Sequence, residues 1–165
     1  MKIRSRRSFL VSGVCLAASL AILAPPMVPA QWPFAPPQTP TAQREAQRVV
    51  KAQVGWLQNA TRTAGNFGAN GYGNVLQQFN LLRGAYSTLK QTLTPGQLSD
   101  GANAFAELDA GLDIIQEAFT NYQSDVAAGQ PINAALNNMC QVLSQASSVW
   151  LQELNKTCSR VRVGF

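Results

Sequence analysis

The sequence predicts an all-α fold: an antiparallel helical bundle of about four helices, following a cleaved signal peptide. Three observations point there. Apolar side chains recur three and four residues apart on two consecutive stretches between residues 72 and 126. The two stretches are separated by Thr94-Pro95-Gly96, a turn and helix-start signature. No stretch of the chain beyond the signal alternates polar and apolar over the length of a strand, apart from six residues at the C-terminus. Stripes at helical spacing can bury only against other helices, which makes a bundle the simplest solution.

Residues 1–30 read as a bacterial-type secretory signal. Lys2, Arg4, Arg6 and Arg7 form a basic segment, and residues 9–23 are apolar but short for a membrane span. Pro25, Pro26 and Pro29 then break any helix, and Val28-Pro29-Ala30 is a small-residue cleavage site ahead of Gln31. Ser5-Arg6-Arg7-Ser8-Phe9-Leu10 resembles the twin-arginine export motif, with Val11 where lysine is common; a general-secretion signal is the alternative. The predicted location is outside the cytoplasm of a bacterium, periplasmic or extracellular, with no stable membrane span left after cleavage.

Cleavage changes the charge. The precursor carries +5, but four basic residues leave with the signal, so nine basic residues then face eight acidic ones. A chain this close to neutral gives no electrostatic footprint for nucleic acid. About a fifth of the residues after position 30 are Gln or Asn, which suits amide-rich helix faces packing on other helices.

The elements follow in order. Residues 31–41 hold four prolines with Trp32 and Phe34 between them, an extended leader whose two aromatics are candidate partner contacts. The bundle is expected over residues 42–159. Its first helix starts at Thr41 as N-cap and ends near Thr63, with Ala46, Val49, Val50, Trp56, Leu57 and Ala60 among its inward residues. Residues 65–74 contain four glycines and three asparagines and read as a loop, in which Phe67 and Tyr72 are candidate partner contacts. The second helix places Val75, Phe79, Leu82, Tyr86, Leu89 and Leu93 on one face. The third starts at Thr94-Pro95, carries Phe105, Leu108, Leu112, Ile115 and Phe119 inward, and stops near Ala128-Gly129. The fourth runs from Pro131 with Ile132, Leu136, Met139, Leu143, Trp150 and Leu154 inward. Residues 160–165 alternate and read as an edge strand or docking peptide, with Phe165 a further candidate contact.

The chain has no histidine, so imidazole bases, Ser-His and Cys-His pairs and histidine metal ligands are excluded. No catalytic, cofactor-binding or metal site is predicted. Asp109, Asp113 and Glu117 stack along one helix but in a line rather than around a cavity, and cross-helix pairing with the basic first two helices accounts for them. Cys140 and Cys158 form a possible disulfide or thiol pair. Eighteen residues of continuous helix hold them about 27 Å apart, whereas a disulfide needs about 7 Å; a bond therefore requires a helix break near residues 144–148.

The functional expectation is a non-catalytic exported protein that acts by protein contacts, with other envelope proteins or itself. One concrete form, by fold-level analogy, is an accessory subunit of a secretion or conjugation apparatus. The alternative is a periplasmic small-ligand-binding or sensor bundle, its pocket lined by Trp56, Phe79, Tyr86, Phe105, Phe119 or Trp150.

Overall fold

The computed structural model describes residues 37–165, the Ala69 side chain excepted. Residues 1–30, read from sequence as a signal peptide, and Trp32 and Phe34 lie outside the described residues. The described residues are 88% helical, with no strand among them. It forms α1 (Pro40–Thr63), a 3-10 turn (Ala64–Phe67), α2 (Ala69–Thr92), α3 (Pro95–Asp100), α4 (Ala102–Ala127) and α5 (Ile132–Arg160).

Each helix begins and ends where local chemistry dictates, and the boundaries correct several expectations. The α1 N-cap is Thr39 rather than Thr41: its hydroxyl accepts from the Ala42 N–H at 3.2 Å, and Pro40 supplies the preset first helical residue. The glycine-rich stretch is not a ten-residue loop. Only the 3-10 turn and Gly68, at φ 51°, interrupt the helical path, and α2 already includes Gly71, Tyr72 and Gly73. Burial of Val75 and Phe79 one and two turns further on outweighs the poor helix propensity of those residues.

A second correction concerns the predicted third helix, which is two. Thr94 and Gln97 form a reciprocal capping box at the start of α3, but the helix ends after six residues at Gly101 and restarts as α4. A Cβ at Gly101 would lie 2.7 Å from Phe105 Cε2 and 2.8 Å from Val161 Cγ1, so glycine here admits the C-terminal segment. The stop at Gly129, with φ 86°, is where the sequence places it.

The predicted stripe of α2 is the core: Val75, Phe79, Leu82, Tyr86, Leu89 and Leu93 are all at most 2% exposed. They pack with Leu108, Leu112, Ile115 and Phe119 of α4 and Leu136, Leu143, Trp150 and Leu154 of α5. The closest backbone pairs, however, are α1 with α2 and α4 with α5. Helices α2 and α4 meet through long side chains instead, with Phe79 stacked on Phe119 at 5.3 Å and Tyr72 on Tyr122 at 4.5 Å. No described helix is long and apolar enough to cross a membrane.

The C-terminal six residues are neither strand nor free peptide. Val161 and Val163 are buried in the core, and Gly164 turns at φ 80° against Arg44 and Pro40. The tail closes the end of the molecule at which α1 begins, rather than standing apart from residues 42–159.

Candidate functional site

The residues singled out from sequence separate widely. Phe67 is 55% exposed in the 3-10 turn and Phe165 is 87% exposed at the C-terminus. Tyr72 is not a loop residue: it is half-buried on α2, edge-on to Phe119, and its hydroxyl accepts from Gln123 Nε2 at 2.8 Å. Burial pushes its phenol pKa up. The aromatic set proposed to line a ligand pocket does not converge either. Phe79, Tyr86, Phe105, Phe119 and Trp150 are packed into the core, whereas Trp56 is 61% exposed on the outside of α1.

Cys140 and Cys158 both carry free thiols. The helix break that a bond between them requires is absent, because α5 is continuous from Ile132 to Arg160. Cys158 is buried, which pushes its thiol up to about 11, with Lys51 and a hydrogen bond from Gln47 pulling the other way; burial also raises Cys140. Neither is poised as a thiolate nucleophile.

A group of ionisable side chains lies between α2 and α4, where Arg83, Tyr86, Lys90, Asp109 and Asp113 line one cleft. Lys90 Nζ bonds both carboxylate oxygens of Asp109, at 2.8 and 3.1 Å, and sits 4.8 Å from the centre of the Tyr86 ring. Arg83 reaches Gln116 Oε1 at 3.4 Å. This is the cross-helix pairing expected of the acidic row, realised at Asp109. Tyr86 donates to the Phe105 carbonyl at 3.4 Å, and burial first, then the Asp109 charge, drive its pKa strongly upward. A phenol held protonated by burial supplies no base near neutral pH. Chemically the group is a clamp between two helices.

A polar cluster that periodicity cannot reveal joins three chain segments. Gln43, only 2% exposed, donates from Nε2 to the Thr92 carbonyl at 3.0 Å and to Gln97 Oε1 at 2.8 Å. Its Oε1 accepts from Gln97 Nε2 at 3.2 Å and from the Gly164 N–H at 2.8 Å. Gln97 Nε2 also reaches the Val161 and Arg162 carbonyls. Gln43 looks like one more surface amide in an amide-rich chain; the only cue is its place on the same face as Val50 and Val54, one core stripe along.

Two outward apolar features were also missed. The first is a groove of about 540 Å³ between α4 and α5, in which Ile114, Val142 and Val149 are 56%, 46% and 59% exposed over a floor of Leu108, Gly111 and Trp150. Trp150 is anchored there by its indole N–H to the Leu108 carbonyl at 2.8 Å, and a Cβ on Gly111 would come within 2.8 Å of its Cδ1. The second is a ridge on α1. The core side of that helix is Val50, Val54 and Leu57, so Val49 and Trp56, seven residues apart, face outward at 40% and 61% exposure. Both features were legible as apolar residues at helical spacing, but the sequence does not say on which side of a wide stripe the core lies.

No protein-family model matches this chain, and no characterised protein or solved structure is similar to it.

Proposed function

We propose that the chain is an exported, non-catalytic helical protein that acts through protein–protein contacts in the bacterial cell envelope. An accessory subunit of a secretion or conjugation apparatus is the concrete form this takes. In this reading residues 1–30 are removed on export and the four long helices form an antiparallel bundle, with α3 as a corner. The observation that carries it is where the large apolar side chains lie. Ile114, Val142, Val149, Val49 and Trp56 stand outward in two groups on helical surfaces, while the buried Gln43 amide and Trp150 indole are spent on internal bonds. Clustered exposed apolar surface of this kind marks interaction sites. Crosslinking in envelopes that express the protein tests the reading. Specific adducts through the α4–α5 groove or α1, on a chain whose N-terminus begins near Gln31, support it. An unprocessed cytoplasmic chain with no adducts overturns it.

A small-ligand-binding function is the second reading, and the same apolar groove favours it, with Trp150 as its floor. A binder gains melting temperature in proportion to the logarithm of ligand concentration, whereas an assembly subunit does not respond to small molecules. Native mass spectrometry of the isolated protein decides between them: a stoichiometric small molecule supports the binder, a bare chain in a multimer supports the subunit.

A further inference from the structure

We propose that the cleft between α2 and α4 binds a small zwitterion, an α-amino acid, with its carboxylate on Arg83 and its ammonium group on Asp113. The cleft is polar and lies on a different seam from the apolar groove. The inference therefore goes beyond both readings above and depends on neither.

Its first support is a gap in the contacts that cross the seam. Helices α2 and α4 meet through long side chains rather than close backbone. Lys90 pairs with Asp109, and seven residues back along α2 Arg83 reaches Gln116, seven residues on along α4. Two turns of helix thus separate these rungs. Midway between them stand Ser87 on one helix and Asp113 on the other, each about one turn from both rungs. No ion pair closes this middle rung among the described residues. A cleft of about 300 Å³ opens there, with the buried Tyr86 and Leu112 beneath it. That is the small end of the range for ligand sites, and it suits a molecule the size of a single amino acid.

The second support is charge. The cleft is lined by two cations and two carboxylates, so its net charge is zero. Lys90 and Asp109 satisfy each other at 2.8 Å. Arg83 and Asp113 face the same cleft and make no ion pair. Arg83 stays at its own rung, 3.4 Å from Gln116 Oε1 and 5.8 Å from the centre of the Phe79 ring. An anion drawn to Arg83 meets the Asp113 carboxylate, and a cation drawn to Asp113 meets Arg83 and Lys90. Only a ligand carrying both charges satisfies the two free groups at once. The guanidinium suits a carboxylate in a two-pronged contact, the Asp113 carboxylate accepts ammonium N–H groups, and the Ser87 hydroxyl serves either.

NMR titration of the isolated protein with each of the standard amino acids, up to about 20 mM, tests this. At least one is expected to saturate and to shift the amide signals around Ser87 and Asp113. Its counterparts lacking one charge (for alanine, propionate and ethylamine) should bind at least tenfold more weakly, since each leaves a like charge facing it. Asp113→Asn and Arg83→Gln, both at exposed positions, should each weaken the amino acid at least tenfold. They should also change the preference: Asp113→Asn favours the plain acid over the amine, and Arg83→Gln the reverse. A substitution that merely loosens the fold would produce no such reversal.

Saturation by none of the amino acids overturns the proposal. So does a plain acid or amine that binds as tightly, an Asp113→Asn variant with wild-type affinity, or shifts confined to the α4–α5 groove. A protein that fails here yet crosslinks in the envelope loses only this inference. A protein that binds the amino acid and forms no crosslinks keeps it and loses the assembly reading.

Discussion

Gln43 holds a primary amide in the core with every hydrogen-bonding atom engaged, and its loss should be felt far from α1. Truncation to Ala leaves the Thr92 carbonyl, the Gly164 N–H and the Gln97 side chain short of partners in a buried site, which costs about 2–3 kcal/mol. Urea unfolding reads the loss, and faster hydrogen exchange at the Gly164 amide locates it. Cys158 gives the second residue-scale expectation. Its thiol pKa is raised from 9.0 in the unfolded reference to about 11 in the fold. Below pH 9 both states are protonated and the contribution to stability is complete. Between pH 9 and 11 the unfolded chain ionises first, so stability falls with rising pH, by about 3 kcal/mol, and then levels off. Cys158→Ala should therefore lower stability at neutral pH, where a core side chain is lost, yet show a shallower decline over that window. A stability curve parallel to wild type across the window would show that the thiol is not the titrating group. For the same reason thiol reagents should modify Cys140 first and reach Cys158 only on unfolding.

The helices themselves were largely legible, because a stripe of period near 3.6 has one physical outcome. Every predicted inward residue of α2 from Val75 to Leu93 is buried, as are Phe105, Leu108, Leu112, Ile115 and Phe119. What escaped was decided by tertiary contact. The break between α3 and α4 depends on Val161 arriving at Gly101, sixty residues away in sequence, and no local pattern carries that. The outward turn of Val49 and Trp56 depends on which side of α1 meets α2 and α5. Glycines inside these helices make the distinction testable. Gly55 of α1 and Gly84 of α2 have nothing within 4 Å of an added Cβ. Substitution by Ala there should stabilise the protein by about 0.5–1 kcal/mol, through helix propensity and a less free unfolded chain. At Gly71 the same Cβ would overlap the Ala64 carbonyl oxygen, and at Gly111 it would press on Trp150. Both of those substitutions should destabilise, by about 1–3 kcal/mol. Thermal unfolding of the four single variants sorts them, and Gly55→Ala falling on the same side as Gly71→Ala would contradict the packing.

At the scale of the whole molecule, the end at which α1 begins is sealed by the last five residues. Val161 and Val163 complete the core above Phe105 and Gly101, and the Gly164 N–H and the Val161 and Arg162 carbonyls complete the amide cluster of Gln43 and Gln97. The tail is thus the piece that ties α1, α3 and α5 together, although its alternating sequence suggests a strand and its position suggests an appendage. Alternation arises here from a turn, with Arg162 at φ 53° swinging its side chain outward between two buried valines. Deleting residues 161–165 should therefore cost far more than deleting a flexible terminus. Two buried valines contribute about 3–5 kcal/mol on area grounds, and the unpaired amides add to it. Removing Phe165 alone, 87% exposed, should leave stability within about 0.5 kcal/mol of wild type. Denaturant midpoints of the two truncations, measured beside Gln43→Ala, test the coupling directly. If the tail acts through the amide cluster, combining the longer truncation with Gln43→Ala should cost less than the sum of the two separate losses, because the Gly164 contact can be broken only once.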